Sequence, residues 1–202
     1  MVKRLFDILF SAGALIVLAP LMLAVSLWIK IDSPGAVLFR QARVGRGGKL
    51  FDILKFRSMR VDAAAQGPQL TVGDDPRITR AGAWLRKYKI DEFPQFVNVV
   101  LGDMSLVGPR PEVPRYVNLY PPAVRDLVLS VRPGITDTAS IAYRDESEIL
   151  RRSADPERTY VEQVLPAKLE LSQRYVRERS LAGDLAIIGR SIRISFSREA
   201  GT

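Results

Sequence analysis

Two residue types that serve many enzyme active sites are missing: the 202 residues include no cysteine and no histidine. Without cysteine there is no disulfide, no thiolate nucleophile and no zinc–sulfur site. Without histidine the Ser–His and Cys–His pairs are excluded, so acid–base or nucleophilic work falls to carboxylates, lysine, tyrosine or hydroxyls. Acidic residues are outnumbered, 22 against 30 lysines and arginines, which leaves a net charge of +8. With a pI near 10.0, the chain favours anionic partners, whether nucleic acid, an anionic membrane surface or phosphorylated substrates. Charge alone does not choose among them. Internal repeats, low-complexity tracts and a domain linker are also absent, so the chain reads as one unit with a real core.

What is present begins with a long apolar run. From Ile8 to Ile29 no residue is charged, roughly 22 positions and enough to cross a bilayer core. The stretch is longer than a signal-peptide h-region, and no small-residue cleavage site follows it. On length alone it reads as a transmembrane anchor. Lys3 and Arg4 precede it, and Lys30, Arg40, Arg43 and Arg46 follow it, so the positive-inside tendency holds both flanks in the cytoplasm. Pro20 sits just past its middle, where a missing N–H and a steric clash predict a bend at Ala19-Pro20. A helix that enters, bends there and returns to the same face satisfies both observations.

Two β-type runs follow, Ala36–Phe39 and Leu50–Phe56, separated by Val44-Gly45-Arg46-Gly47-Gly48. They read as a hairpin with a glycine-rich connection, not a P-loop. Residues 61–79 read as loop, broken at Gly67-Pro68, Gly73 and Asp75-Pro76. Helices are predicted over Ala81–Ile90, Asp91–Leu101, Glu112–Leu119, Pro122–Val131, Pro156–Arg179 and Leu181–Ser197, with Gly102–Arg115 as an ordered loop. In the last helix Leu181, Leu185, Ile188 and Ile192 recur at helical spacing, with Arg190, Arg193 and Arg198 elsewhere. That pattern suits a helix packed on the core and equally a basic amphipathic helix lying on anionic lipid.

The densest candidate site is Leu85-Arg86-Lys87-Tyr88-Lys89-Ile90-Asp91-Glu92-Phe93-Pro94-Gln95. If Asp91 caps a helix with Pro94 in its first turn, unpaired amides there face any nearby phosphate, and the dipole keeps Asp91 ionised. An ionised carboxylate is a competent nucleophile at phosphorus. Taken alone, these residues favour a plain capping Asp and a surface Glu. Basic groups accompany them: Lys55, Arg57 and Arg86, Arg110 between Pro109 and Pro111, and Arg132 before Pro133-Gly134. Arginine beside proline is a positioned fork suited to phosphate, although some of the basic residues serve a solvated face for lipid headgroups.

Gly102-Asp103-Met104-Ser105-Leu106-Val107-Gly108-Pro109-Arg110-Pro111-Glu112 resembles a signature of the bacterial sugar transferases, the monotopic phosphoglycosyl transferases. Lys3-Arg4-Leu5-Phe6-Asp7, Lys55-Phe56-Arg57-Ser58-Met59, Asp91-Glu92 and Val131-Arg132-Pro133-Gly134-Ile135-Thr136 match in the expected order, so the resemblance covers nearly the whole chain. It implies a mostly helical α/β unit, with a re-entrant membrane helix over residues 1–32. Residues 33–202 would form a small catalytic head with a short β-hairpin and interfacial amphipathic helices. Asp91 would attack the sugar-linked phosphorus of a UDP-sugar, giving a phosphosugar–aspartate and UMP. Polyprenol (undecaprenyl) phosphate would then take the phosphosugar. Glu92 would help position a metal or the acceptor, and magnesium is implied at Asp91 and Glu92. Lys55, Arg86 and Arg110 would neutralise phosphate charge, with Arg132 and Arg144 contributing. The same resemblance places the head on the cytoplasmic face of a bacterial inner membrane, among membrane lipids.

The chain departs from that pattern in places. Ala19-Pro20 stands where the family commonly has Ser-Pro, Asp137-Thr138 follows the Arg-Pro-Gly-Ile-Thr motif where Gly is common, and Ile90 and Phe93 replace leucines. Two rivals predict other behaviour. A non-catalytic basic anchor would tolerate Asp91→Asn. A nucleic-acid binder is disfavoured because basic residues are not interleaved with an aromatic stacking surface. The sugar, the glycan pathway and the oligomeric state are not encoded in any motif.

Overall fold

The computed structural model describes residues 2–61, 70 and 75–196; the predicted breakers Gly67-Pro68 and Gly73, and Ser197 and Arg198 of the last predicted helix, lie outside them. Helix α1 spans Val2–Asp32. Much of its apolar surface is left uncovered: Ile16 and Val17 are 76% and 77% exposed. It is long and apolar enough to cross a membrane. Helical structure continues through Ala19 and Pro20, so the predicted bend is not a break in the helix.

The attachment of α1 is more telling. At its start, the Lys3 ammonium donates to Asp184 Oδ2 at 2.5 Å and to the Val107 carbonyl at 3.2 Å, and Asp7 accepts from Ser105 Oγ at 2.8 Å. At its end, Val25 and Ile29 pack with Phe56, Leu85 and Ile90. Trp28 meets Trp84 edge-on at 5.4 Å, and Arg57 donates to the carbonyls of Ser33 and Pro34. Ser11, Val25 and Ile29 are buried, whereas every residue between Ser11 and Val25 is exposed or half-buried.

Strands β1 (Leu38–Val44) and β2 (Leu50–Phe56) form an antiparallel hairpin, with Leu38 opposite Phe56 and Val44 opposite Leu50. The first strand therefore starts later and runs further than the apolar pattern suggested, because Arg40, Gln41 and Arg43 alternate toward solvent or the site. The connection needs its glycines: Gly47 and Gly48 have φ of 67° and 78°, a region closed to most side chains. Helix α2 (Arg80–Lys87) is capped by Thr79, whose hydroxyl accepts from the Gly82 amide.

Asp91 does not cap a helix. Lys89 adopts a left-handed φ of 57° after α2, Ile90–Glu92 form one 3-10 turn, and α3 begins only at Gln95 and ends at Leu101, behind Pro94. Proline lacks the N–H that would have carried the helix back through Glu92. The long loop that follows contains an unpredicted strand, β3 (Ser105–Val107). After α4 (Pro114–Val117) and α5 (Pro122–Val128), β3 pairs in parallel with β4 (Gly134–Thr136). A Cβ on Gly134 would overlap the Gly108 backbone, so glycine is required where these two loops touch.

Two short unpredicted helices, α6 (Thr138–Ala142) and α7 (Glu146–Arg151), follow. The predicted helix from Pro156 is present as α8 (Pro156–Thr159), a wider π turn at Tyr160–Val164, and α9 (Leu165–Glu178). Helix α10 (Leu181–Phe196) closes the fold. The largest core cluster among the described residues joins Tyr116 of α4, Leu150 of α7, Tyr160 of the π turn and Leu165 of α9.

Because both ends of α1 are bonded to one head, cysteines replacing Val2 and Lys30 are expected to react with an impermeant label from the same side of the membrane. Labelling from opposite sides would contradict this attachment.

Candidate active site

The site is assembled from short pieces. Lys55 comes from the end of β2, Arg86 from α2, Asp91 and Glu92 from the 3-10 turn, and Arg110 from the loop after β3. All five line one cavity of about 570 Å3. The two carboxylates are adjacent in sequence but differ in environment. Glu92 Oε1 accepts from the Lys55 ammonium at 2.7 Å and from the Arg110 guanidinium at 2.6 Å. Asp91 forms no hydrogen bond or ion pair among the described residues, although it is only 9% exposed.

Their proton affinities diverge accordingly. Burial opposes ionisation of Glu92, but Arg110 and Lys55 outweigh it and hold its carboxyl well below the usual range. For Asp91 burial comes first and pushes its carboxyl up; Glu92 adds to this, while Lys55, Arg86 and Arg110 pull the other way. Arg110 is raised by Glu92. Lys55 is lowered, mainly by burial, with Glu92 opposing. The two neighbouring carboxylates thus sit in different environments. Glu92 is bonded to two cations, whereas among the described residues the Asp91 carboxylate has no direct partner.

A second cavity, about 630 Å3, is largely apolar and runs between Phe10, Leu18 and Leu21 of α1, Phe93 and Phe96, and Ile188 of α10. Lys89, Glu92 and Arg110 line both cavities. A polar chamber and an apolar groove therefore meet at a carboxylate held by cations.

Of the residues singled out in the sequence, Lys55, Arg86, Asp91, Glu92 and Arg110 come together. Arg144 lines only the apolar groove, with its Nε 3.2 Å from Asp145. Arg132 is not brought to either cavity: its Nε donates to the Gly102 carbonyl at 2.7 Å, tying two loops together. Ala19 and Pro20 lie on the exposed middle of α1, away from the chemistry. Arg40, Arg43, Arg60, Arg77 and Lys89 also line the polar chamber and are not marked for it by the sequence. Lys89 is placed by its left-handed backbone, which a sequence does not announce for lysine. Arg43 is held by Gln41 Oε1 at 2.6 Å and by the Pro111 carbonyl at 2.9 Å, so β1 braces the loop that carries Arg110. Arg57 also lines the chamber, but it is buried with its guanidinium turned to the carbonyls at the end of α1. Among the described residues no three acidic groups cluster as a metal cage. A hard divalent ion there would rest on one carboxylate and on substrate phosphates, the arrangement magnesium favours, and among the described residues Asp91 is the carboxylate of this pair that no cation bonds directly.

Similar proteins identify the family. The chain is 39% identical over 194 residues, 95% of its length, to the UDP-N-acetylgalactosamine-undecaprenyl-phosphate N-acetylgalactosaminephosphotransferase of Aeromonas hydrophila, and spans 43% of that protein. It is 34% identical over 203 residues to the UDP-glucose:undecaprenyl-phosphate glucose-1-phosphate transferase of Escherichia coli K12, covering 99% of this chain and 41% of that one. A 109-residue stretch, 54% of each chain, is 57% identical to an exopolysaccharide production protein of Rhizobium leguminosarum. The chain thus spans less than half the length of the first two relatives. The family model described as bacterial sugar transferase matches residues 1–198, and the chain belongs to that family.

Proposed function

We propose that the chain is a membrane phosphoglycosyl transferase that moves a sugar 1-phosphate from a UDP-sugar to undecaprenyl phosphate. The observation that carries this reading is the contrast at the 3-10 turn: Glu92 is saturated by Lys55 and Arg110, whereas the buried carboxylate of Asp91 faces the polar cavity without a partner. An oxygen of Asp91 attacks the phosphorus that bears the sugar, and the bond to the bridging oxygen breaks, releasing UMP. The product is an acyl phosphate still carrying the sugar. A phosphate oxygen of the lipid acceptor then attacks the same phosphorus, the bond to Asp91 breaks, and the diphosphate-linked sugar leaves on the lipid. No bond to the sugar carbon changes.

The cations supply the electrostatics. Arg110 and Lys55, fixed by Glu92, and Arg86 and Lys89 offset the charge of the diphosphate and of the leaving UMP. Magnesium, when bound at Asp91 and the donor phosphates, would supply further charge neutralisation. The acceptor's isoprenoid chain suits the apolar groove, which brings its phosphate to Lys89 and Arg110, with Arg144 on the groove's rim. A re-entrant α1, held at both ends by a head on the cytoplasmic face of the inner membrane, would keep that groove at headgroup depth. The relatives act on N-acetylgalactosamine and on glucose donors, so UDP-glucose, UDP-galactose and the UDP-N-acetylhexosamines are the first donors to test.

With magnesium and undecaprenyl phosphate, one of these donors is expected to give UMP, and Asp91→Asn to abolish release while membrane association is kept. Substantial UMP from Asp91→Asn would sink the assignment. Stability should separate the two carboxylates in the opposite sense. Glu92→Gln leaves two cations facing each other and is expected to cost about 3 kcal/mol. Asp91→Asn removes a charge disfavoured by burial, so its melting temperature should equal or exceed that of the parent. Equal losses from the two substitutions would refute the division of roles.

A further inference from the structure

A third cavity, about 480 Å3, lies away from the reaction site between α6, α9 and α10. Ile141, Leu171 and Ile187 give it an apolar floor. Arg174, Arg179 and Arg190 line it and are exposed. None of these three arginines forms an ion pair among the described residues, although Glu178 lines the same cavity. Positive charge is therefore in excess around an apolar hollow, an arrangement that suits an amphiphile with an anionic head.

Its place in the fold indicates the source of such a molecule. Gly183 lines the cavity, and the next residue, Asp184, holds Lys3 of α1 at 2.5 Å. Tyr175, on the cavity wall, donates to Asp184 at 2.8 Å. The cavity thus adjoins the point where α1 leaves the head, a few residues before its uncharged run begins at Ile8. Beside it α10 exposes Leu185, at 50%, as apolar surface for an acyl chain. Arginines at the level where an apolar helix enters lipid face headgroup phosphates, with their stems along the chains. Of the residues lining the cavity, only Ile141 also lines the apolar groove, and none lines the polar chamber. The occupant is therefore separate from the reacting acceptor.

We propose that this cavity binds one anionic phospholipid of the host bilayer. Arg174, Arg179 and Arg190 take its phosphodiester, and the Ile141, Leu171 and Ile187 floor takes part of an acyl chain. A zwitterionic lipid carries an ammonium that the surplus arginine charge repels, so the site discriminates by headgroup.

Native mass spectrometry of the intact chain released from nanodiscs of mixed phosphatidylglycerol and phosphatidylcholine tests this. The wild type is expected to retain phosphatidylglycerol over phosphatidylcholine on the order of tenfold. Arg174→Gln/Arg190→Gln should lose that preference at an unchanged melting temperature, and Arg174→Lys/Arg190→Lys should keep it. If the double glutamine variant is too unstable to purify, Arg190→Gln alone should show a smaller loss in the same direction. Equal retention of both lipids by the wild type, or an undiminished preference in the glutamine variants, overturns the proposal. So does glycerol phosphate bound as tightly as phosphatidylglycerol, which would mark a free-anion site, or undecaprenyl phosphate retained in preference to both lipids.

Discussion

One carboxylate oxygen shared by two cations organises this protein. Glu92 Oε1 receives Lys55 from the hairpin and Arg110 from the loop after β3, and these three segments are far apart in sequence. A single such contact on an exposed surface would be worth little, but here all three groups are largely shielded, where unpaired charge is strongly unfavourable. The ion triad therefore fixes where the hairpin, the turn and the β3 loop meet. It also leaves the neighbouring Asp91 as the carboxylate without a partner. Arg43 extends the same constraint outward by holding the Pro111 carbonyl from β1.

The membrane helix follows a related logic. Its middle offers apolar side chains and little else, so its position is set at the two ends, by polar contacts and by the packing of Val25 and Ile29. Lys3, Arg4 and Asp7 bond to β3 and its neighbours, and Asp32 accepts from the Ala81 amide at 3.1 Å. The first of these contacts falls on Ser105–Val107, directly before Gly108-Pro109-Arg110. The strand that receives the membrane helix thus leads into the loop that supplies a cation to the reaction site, and the apolar groove between them opens onto both. Chemistry on a water-soluble donor and a lipid-borne acceptor requires such a junction.

Much of this was legible in the residues themselves. The uncharged run of α1, the strand Leu50–Phe56 and the helix from Leu181 carry local periodicity strong enough to read directly. Lys55, Asp91, Glu92 and Arg110 were legible through motif order, and Arg86 through the basic cluster before Asp91. What was not legible depends on distant pairing or on backbone strain. Strands β3 and β4 have three residues each and sit among glycines and prolines, so nothing local marks them. The turn at Asp91 looks like a helix start until Lys89 is seen in the left-handed region. Arg132, beside Pro-Gly, had the same local signature as Arg110, yet it binds a carbonyl of the protein itself because β4 directs it to Gly102. The attachment of the start of α1 depends on Asp184, 181 residues after Lys3, a separation at which no sequence pattern is informative.

The central claim is that Asp91 becomes covalently bonded to the phosphosugar. Intact-mass measurement of the protein after mixing with the productive UDP-sugar, without lipid acceptor, tests it most directly, followed by peptide mapping of any adduct. The account predicts a mass increase of one sugar phosphate on the peptide containing Asp91, lost when undecaprenyl phosphate is added. An adduct on another residue, or full turnover with no adduct formed in the absence of acceptor, would contradict it.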